Sequence, residues 1–408
     1  MPQEIYVLIV GYIVGFYMAW NIGANDVANS MAPVVGAKAV TIRQAIFIAV
    51  ILNVIGAVFI GARVTNTIRK GIVSTDVLTD PHLVLIGALS AMLAASLWVN
   101  FATWKSLPVS TTHSIVGAMI GFGIIAGGFS VINWIKLAAV VVSWIISPLF
   151  SLVISYFLFK IILKLILSKK NAFIWSLKLS PFFIGSTVFI VVLSFLFKTP
   201  LGDNLSIKLT DALMIAFTIA FSFGFAGMKV LKRFVKESSL HGAEEIFRFI
   251  QIGTACYVAL AQGANDVANA IGPLAVIYFL VKTGSVGATV PVPVFLLIFG
   301  GIGIACGISM AGHRVMDTLG KKITALSNTR GFAVNFATAT TVLVASKMGL
   351  PVSTTHAAVG GVMGIGLARG VEAVNFSIVY KIMLYWILTV PVAAVASMVI
   401  FKILQFIL

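Results

Sequence analysis

The chain has 408 residues, 60% of them hydrophobic and only 10% charged, with a mean hydropathy of +1.09. Soluble globular proteins carry about a quarter charged residues, so a water-soluble fold is excluded. The net charge of +16 does not point to nucleic acid, because the basic residues gather in the loops between apolar runs, as the positive-inside rule expects.

In chain order, apolar runs cover residues 5–20, 45–61, 83–101, 132–167, 182–197, 212–228 and 292–310. Runs of about twenty such residues span the hydrocarbon core as helices. Their continuous apolar character excludes a β-barrel, whose strands alternate. The expected fold is therefore an all-α polytopic membrane protein. The start, Met1-Pro2-Gln3-Glu4, carries no basic residue and does not read as a cleaved signal. Cys256 and Cys306 lie inside apolar segments and read as packing residues.

The chain repeats itself. Gly23-Ala24-Asn25-Asp26-Val27-Ala28-Asn29 returns unchanged 240 residues later as Gly263-Ala264-Asn265-Asp266-Val267-Ala268-Asn269, and Pro33 returns as Pro273. Pro108-Val109-Ser110-Thr111-Thr112-His113 returns 243 residues later as Pro351-Val352-Ser353-Thr354-Thr355-His356. A weaker match, 251 residues apart, pairs Arg63-Val64 with Arg314-Val315. Three matches in one order mean duplication. The expected organisation is a first repeat over 1–170, two linking spans with a short basic loop over 171–240, and a second repeat over 241–408. Basic clusters flank the linking spans on both sides, so both clusters fall inside. The second half then starts on the opposite side from the first, which makes the repeats inverted. Five crossings per half give about 12 transmembrane segments, with both termini outside.

Two motifs carry the chemistry. Asp26 and Asp266 follow apolar runs and sit among small residues. A charge at the bilayer centre costs about 2.5–3.5 kcal/mol on insertion scales, so acids placed there are usually functional. The plainer reading, an Asp capping a helix at the interface, is weakened by the duplication. Gly23 and Gly263, with Pro33 and Pro273 downstream, suggest a broken helix. Freed carbonyls, the two carboxylates, Asn25, Asn29, Asn265 and Asn269 would then supply oxygen ligands for a hard monovalent cation.

The second motif begins a short apolar helix in each half, near 115–126 and 357–368. Both read as re-entrant half-helices. A helix N-terminus offers free backbone N–H groups and a positive dipole end, which together bind anions. Ser110, Thr111, Thr112, Ser353, Thr354 and Thr355 add six hydroxyls, suited to a tetrahedral oxyanion. His113 and His356 read as packing or orienting groups.

On these motifs, each present twice, the chain resembles the PiT family of inorganic phosphate transporters from Tyr6 to about Leu404. The resemblance implies symport of phosphate with a cation in the cytoplasmic membrane, inverted repeats and a homodimer in lipid. It implies no cofactor, no enzymatic activity and no nucleic-acid partner. It places phosphate and cation at Asn25, Asp26, Asn29, Ser110–Thr112 and their second-half partners. The GANDVAN spelling resembles the sodium-coupled branch. The short basic stretch 229–248 resembles prokaryotic members. The rival readings are a proton-coupled phosphate or sulfate permease of the same architecture, an intramembrane aspartyl enzyme and an anion channel.

Overall fold

The computed structural model describes residues 2–69, 80–198, 208–235, 239–284, 292–347 and 352–407; the side chains of 2–4, 62–69, 136, 198, 346 and 347 are not described. Pro351, Lys70, Lys236 and the side chains of Arg63 and Arg69 therefore lie outside the described part.

Twelve α-helices make up the described residues: α1 (Pro2–Gly36), α2 (Ile42–Arg69), α3 (Pro81–Trp104), α4 (Thr111–Gly127), α5 (Trp134–Ile162), α6 (Ala172–Lys198), α7 (Leu209–Phe234), α8 (Leu240–Thr283), α9 (Val294–Asp317), α10 (Asn328–Lys347), α11 (Thr354–Arg369) and α12 (Phe376–Ile407). All but α4, α10 and α11 are long and apolar enough to cross a membrane. The motif spacings make α1–α5 equivalent to α8–α12, with α6 and α7 as a packed pair between them.

Side-chain and backbone contacts fix the helix directions. Gly11 and Gly15 of α1 meet Ile277 and Leu274 of α8, so these equivalent helices run antiparallel. The repeats are thus inverted. The remaining contacts obey the same two-fold relation. α1 runs alongside α9, and α2 alongside α8; α4 runs alongside α12, and α5 alongside α11. As a result Pro2 and Ile407 fall at one end of the bundle. The opposite end gathers Lys38, Arg43, Lys160, Lys169, Lys232, Arg248, Lys321 and Arg330.

The motif glycines have a different job from the one expected. α1 and α8 are continuous helices through both septets, so there is no break at 23–29 or 263–269. Gly23 instead lies against the Ile304 carbonyl, and Gly263 against the Asn53 carbonyl. Any side chain at either position would collide with backbone. These glycines let two helices approach closely, rather than loosening one.

The half-helices are present. α3 has 24 residues and α4 has 17, about 36 Å and about 25 Å at 1.5 Å per residue. Trp104, at the end of α3, is 61% exposed, whereas Leu107 and Val109 are buried. The 105–110 turn therefore leads from an exposed helix end back to a buried helix start. Pro108 is not in the first turn of α4; it lies two residues before the N-cap, Ser110.

Candidate substrate and ion site

The starts of α4 and α11 are built alike. The Ser110 hydroxyl accepts the His113 N–H at 3.1 Å, and the Ser353 hydroxyl accepts the His356 N–H at 3.2 Å. The first intrahelical bonds run from Ser114 N to Ser110 O and from Ala357 N to Ser353 O. The N–H groups of Thr111, Thr112, Thr354 and Thr355 thus precede the helical ladder and have no acceptor within their own helices. Each Ser keeps its hydroxyl proton for another partner, because capping uses only a lone pair.

The motif asparagines cross between halves. Asn29 Nδ2 donates to Thr354 Oγ1 at 3.1 Å and Thr355 Oγ1 at 2.9 Å. Its equivalent, Asn269 Nδ2, donates to Thr111 Oγ1 at 3.3 Å and Thr112 Oγ1 at 3.2 Å. Each half's long helix therefore holds the other half's short helix. Asp26, 2% exposed, joins both short helices at once. Thr111 donates to its Oδ2 at 2.6 Å and Thr355 to its Oδ1 at 3.3 Å. The Thr355 hydroxyl has a second acceptor, Val109 O at 3.2 Å. Asp266 is buried at the equivalent position on α8.

Oxygen donors are concentrated here. Asn29 Oδ1 and Asn269 Oδ1 are buried with no hydrogen-bond partner among the described residues. Pro33 and Pro273 lie inside α1 and α8. A proline offers no N–H to the carbonyl four residues back, which frees the backbone oxygens of Asn29 and Asn269. Carboxylates, amide oxygens and carbonyls without a donor suit a hard cation.

Asn25 has another task. Its Nδ2 donates to Thr103 Oγ1 at 2.9 Å and Leu107 O at 3.1 Å, and its Oδ1 accepts Val109 N at 3.1 Å. It ties down the turn that delivers α4. Asn265 is half-buried, and the turn equivalent to Asn25's lies largely outside the described residues. His113 and His356 meet edge to face with ring centres 4.6 Å apart. His113 also packs on Trp144, and His356 stacks on Trp386 at 3.7 Å. These histidines pack the two short helices together, as the sequence suggested.

Two participants escaped the motif reading. Gln262 donates to the backbone carbonyl of Asp26, and Thr103 anchors Asn25. Neither lies in a repeated motif: Gln262 stands where the first half has Ile22, and Thr103 falls five residues before PVSTTH.

Inverted repeats, long motif helices and paired half-helix starts around buried carboxylates are the build of a multi-pass membrane carrier. The sequence comparisons specify which. Residues 22–397 match the model of the phosphate transporter family. A candidate phosphate permease of Thermococcus kodakarensis is 49% identical over 98% of each chain. The chloroplastic inorganic phosphate transporter 2-1 of Arabidopsis thaliana is 39% identical, covering 97% of this chain and 72% of its own. A solved structure described as the sodium-dependent phosphate transporter superposes with a TM-score of 0.90 at 43% identity, covering 99% of this chain and all of that one. The chain belongs to the phosphate transporter family; it is a transporter and not an enzyme.

Proposed function

We propose that the protein carries inorganic phosphate together with sodium, by alternating access, across the cytoplasmic membrane. The carrying observation is that Asp26 is hydrogen-bonded at once to Thr111 of its own half and Thr355 of the other. Phosphate is assigned to the paired helix starts, Ser110–Thr112 and Ser353–Thr355. Sodium is assigned to Asp26, Asn29, Asp266 and Asn269. Asn25 and Asn265 are assigned to the rim of the same site, with Asn25 acting mainly through the turn it holds. The name of the structural relative supports sodium as the coupling ion.

The geometry supplies a reason for coupling. A hydroxyl has one proton. Without sodium, Thr111 spends its proton on Asp26, and Thr355 divides its own between Asp26 and Val109. Phosphate also meets two buried negative charges. A sodium ion on the carboxylates offsets that charge and takes over their lone pairs. The threonine protons can then turn to phosphate, beside the free N–H groups of two helix starts. Sodium first and phosphate second is the resulting order. The inverted units, 1–170 and 241–408, exchange conformations to alternate access, with 171–240 packed beside them.

Basic residues at one bundle end favour that end as cytoplasmic and both termini as external. Cysteines placed at each terminus should react with an impermeant thiol reagent from outside; reaction only after permeabilisation would reverse the orientation. Lipid covers the exposed apolar faces, and the family resemblance supports a homodimer, which light scattering of the purified protein would test. The main test is uptake of labelled phosphate into proteoliposomes. An imposed sodium gradient should drive accumulation and a proton gradient alone should not. Accumulation driven by protons alone would overturn sodium coupling.

A further inference from the structure

A groove of about 520 Å³ opens on the outside of the bundle between α2 and α8, lined by Val40, Arg43, Gln44, Phe47, Ile48, Arg248 and Ile252. It lies at the basic end, well away from the substrate site. The two helices run in the same direction here, with Gly56 against Leu260 and Gly61 against Val267. Each therefore presents an arginine at the rim and an apolar side chain one turn deeper. On α2 the pair is Arg43 and Phe47; on α8 it is Arg248 and Ile252. Residues four apart on a helix share a face.

The rim carries two arginines, of which Arg248 already holds an ion pair. Arg43 is exposed and has no ion-pair partner among the described residues. Arg248 Nη1 pairs with Glu245 at 2.8 Å, and its Nε donates to Ala39 O at 2.8 Å. Among the described residues, no hydrogen bond uses its second terminal nitrogen. Gln44 spends its side-chain oxygen on capping α2, accepting the Thr41 N–H at 2.9 Å, and carries no charge, so charge recognition falls on the arginines. The deeper wall belongs to the span Ile42–Gly61, where Phe47 is 67% exposed. Such a side chain faces hydrocarbon.

We propose that this groove binds one anionic phospholipid. Its headgroup phosphate sits between Arg43 and Arg248, and an acyl chain lies along Phe47, Ile48 and Ile252. The grading from two cations to an apolar wall within one helical turn matches a phospholipid crossing from headgroup to tail. Free phosphate would use the rim and leave the wall bare. A second copy of this chain would bring its own basic end toward two arginines.

Native mass spectrometry of the detergent-purified protein tests this, with phosphatidylglycerol and phosphatidylcholine of equal chain length added in turn. Phosphatidylglycerol should bind at least about fivefold more tightly. That corresponds to about 1 kcal/mol for one basic residue near an anionic headgroup. Arg43→Gln should remove about that factor, whereas Lys169→Gln, at the same bundle end, should not. Arg248→Gln should behave like Arg43→Gln, but it also loses the tie to Ala39, so Arg43→Gln decides the matter. Equal binding of the two lipids, an unchanged Arg43→Gln, or displacement of the lipid by millimolar inorganic phosphate would each overturn the proposal. None of these readouts depends on transport, so the site can fail without affecting the proposed symport.

Discussion

The two halves carry the same septet and the same sextet, yet their interiors are not equally polar. Where α8 has Gln262, α1 has Ile22; where α8 has Gln251, α1 has Gly11; where α10 has Asn335, α3 has Met92. Gln251, Gln262 and Asn335 are all buried, and Gln262 reaches the Asp26 carbonyl. Ile22 and Met92 are equally buried within an apolar cluster. The duplication preserved the helix-to-helix contacts and the crossed asparagine bonds. It did not preserve what surrounds them. A symmetric scaffold thus holds a site whose two aspartates stand in different settings.

The largest expected effect comes from removing one carboxylate at a time. Asp26→Asn should lower kcat/KM for phosphate by at least about thirtyfold, the loss expected when one partner of a buried charged contact is removed. It should also abolish stimulation by sodium. Asp266→Asn should do the same to a different degree, because only Asp26 receives Gln262 on its backbone. Equal effects in uptake assays would show that the asymmetry does not reach the site.

Next comes Thr111→Val, which leaves Asp26 Oδ2 without its 2.6 Å donor. A buried group left unsatisfied costs about 1–3 kcal/mol, so roughly tenfold weaker transport is expected. Thr354→Val, at the equivalent position, removes the hydroxyl that accepts the Asn29 amide at 3.1 Å and should weaken transport as well. Steady-state uptake kinetics of the two variants would rank them.

The glycines test the symmetric part. Gly23→Ala and Gly263→Ala each press a methyl group into a facing backbone carbonyl. Overpacking of this kind costs about 1–3 kcal/mol. The two variants should lower the thermal midpoint by similar amounts, and a neutral variant would refute the close-approach role. The smallest effect is expected from Gln262→Ile, which restores the first half's residue. Losing one hydrogen bond costs about 1 kcal/mol, readable as a small fall in the same midpoint.

Much of this was legible because repetition and hydropathy act over many residues. The apolar runs gave the helices, the offsets gave the duplication, and the basic clusters beside the linking spans gave its inversion. Ser110 and Ser353 were readable as helix starts because capping is a local rule. The septet was harder. Glycine and proline beside an aspartate are consistent with a break and also with close packing, and only the partner helix decides between them. Gly23 meets Ile304, 281 positions away, a contact that no local pattern announces. Asn25 shows the same limit: its residue type suits a ligand, but the Thr103–Val109 turn claims both ends of its amide. Gln262 was missed because it belongs to neither repeat motif.

The central claim is that sodium on the carboxylates releases the threonine protons for phosphate. Calorimetric titration of the purified transporter with phosphate, with sodium and with choline in its place, tests this directly. Wild type should bind phosphate at least about tenfold more tightly in sodium, a coupling of about 1.4 kcal/mol, and Asp26→Asn should show no difference between the two cations. Equal phosphate affinity of the wild type in sodium and in choline would contradict the account.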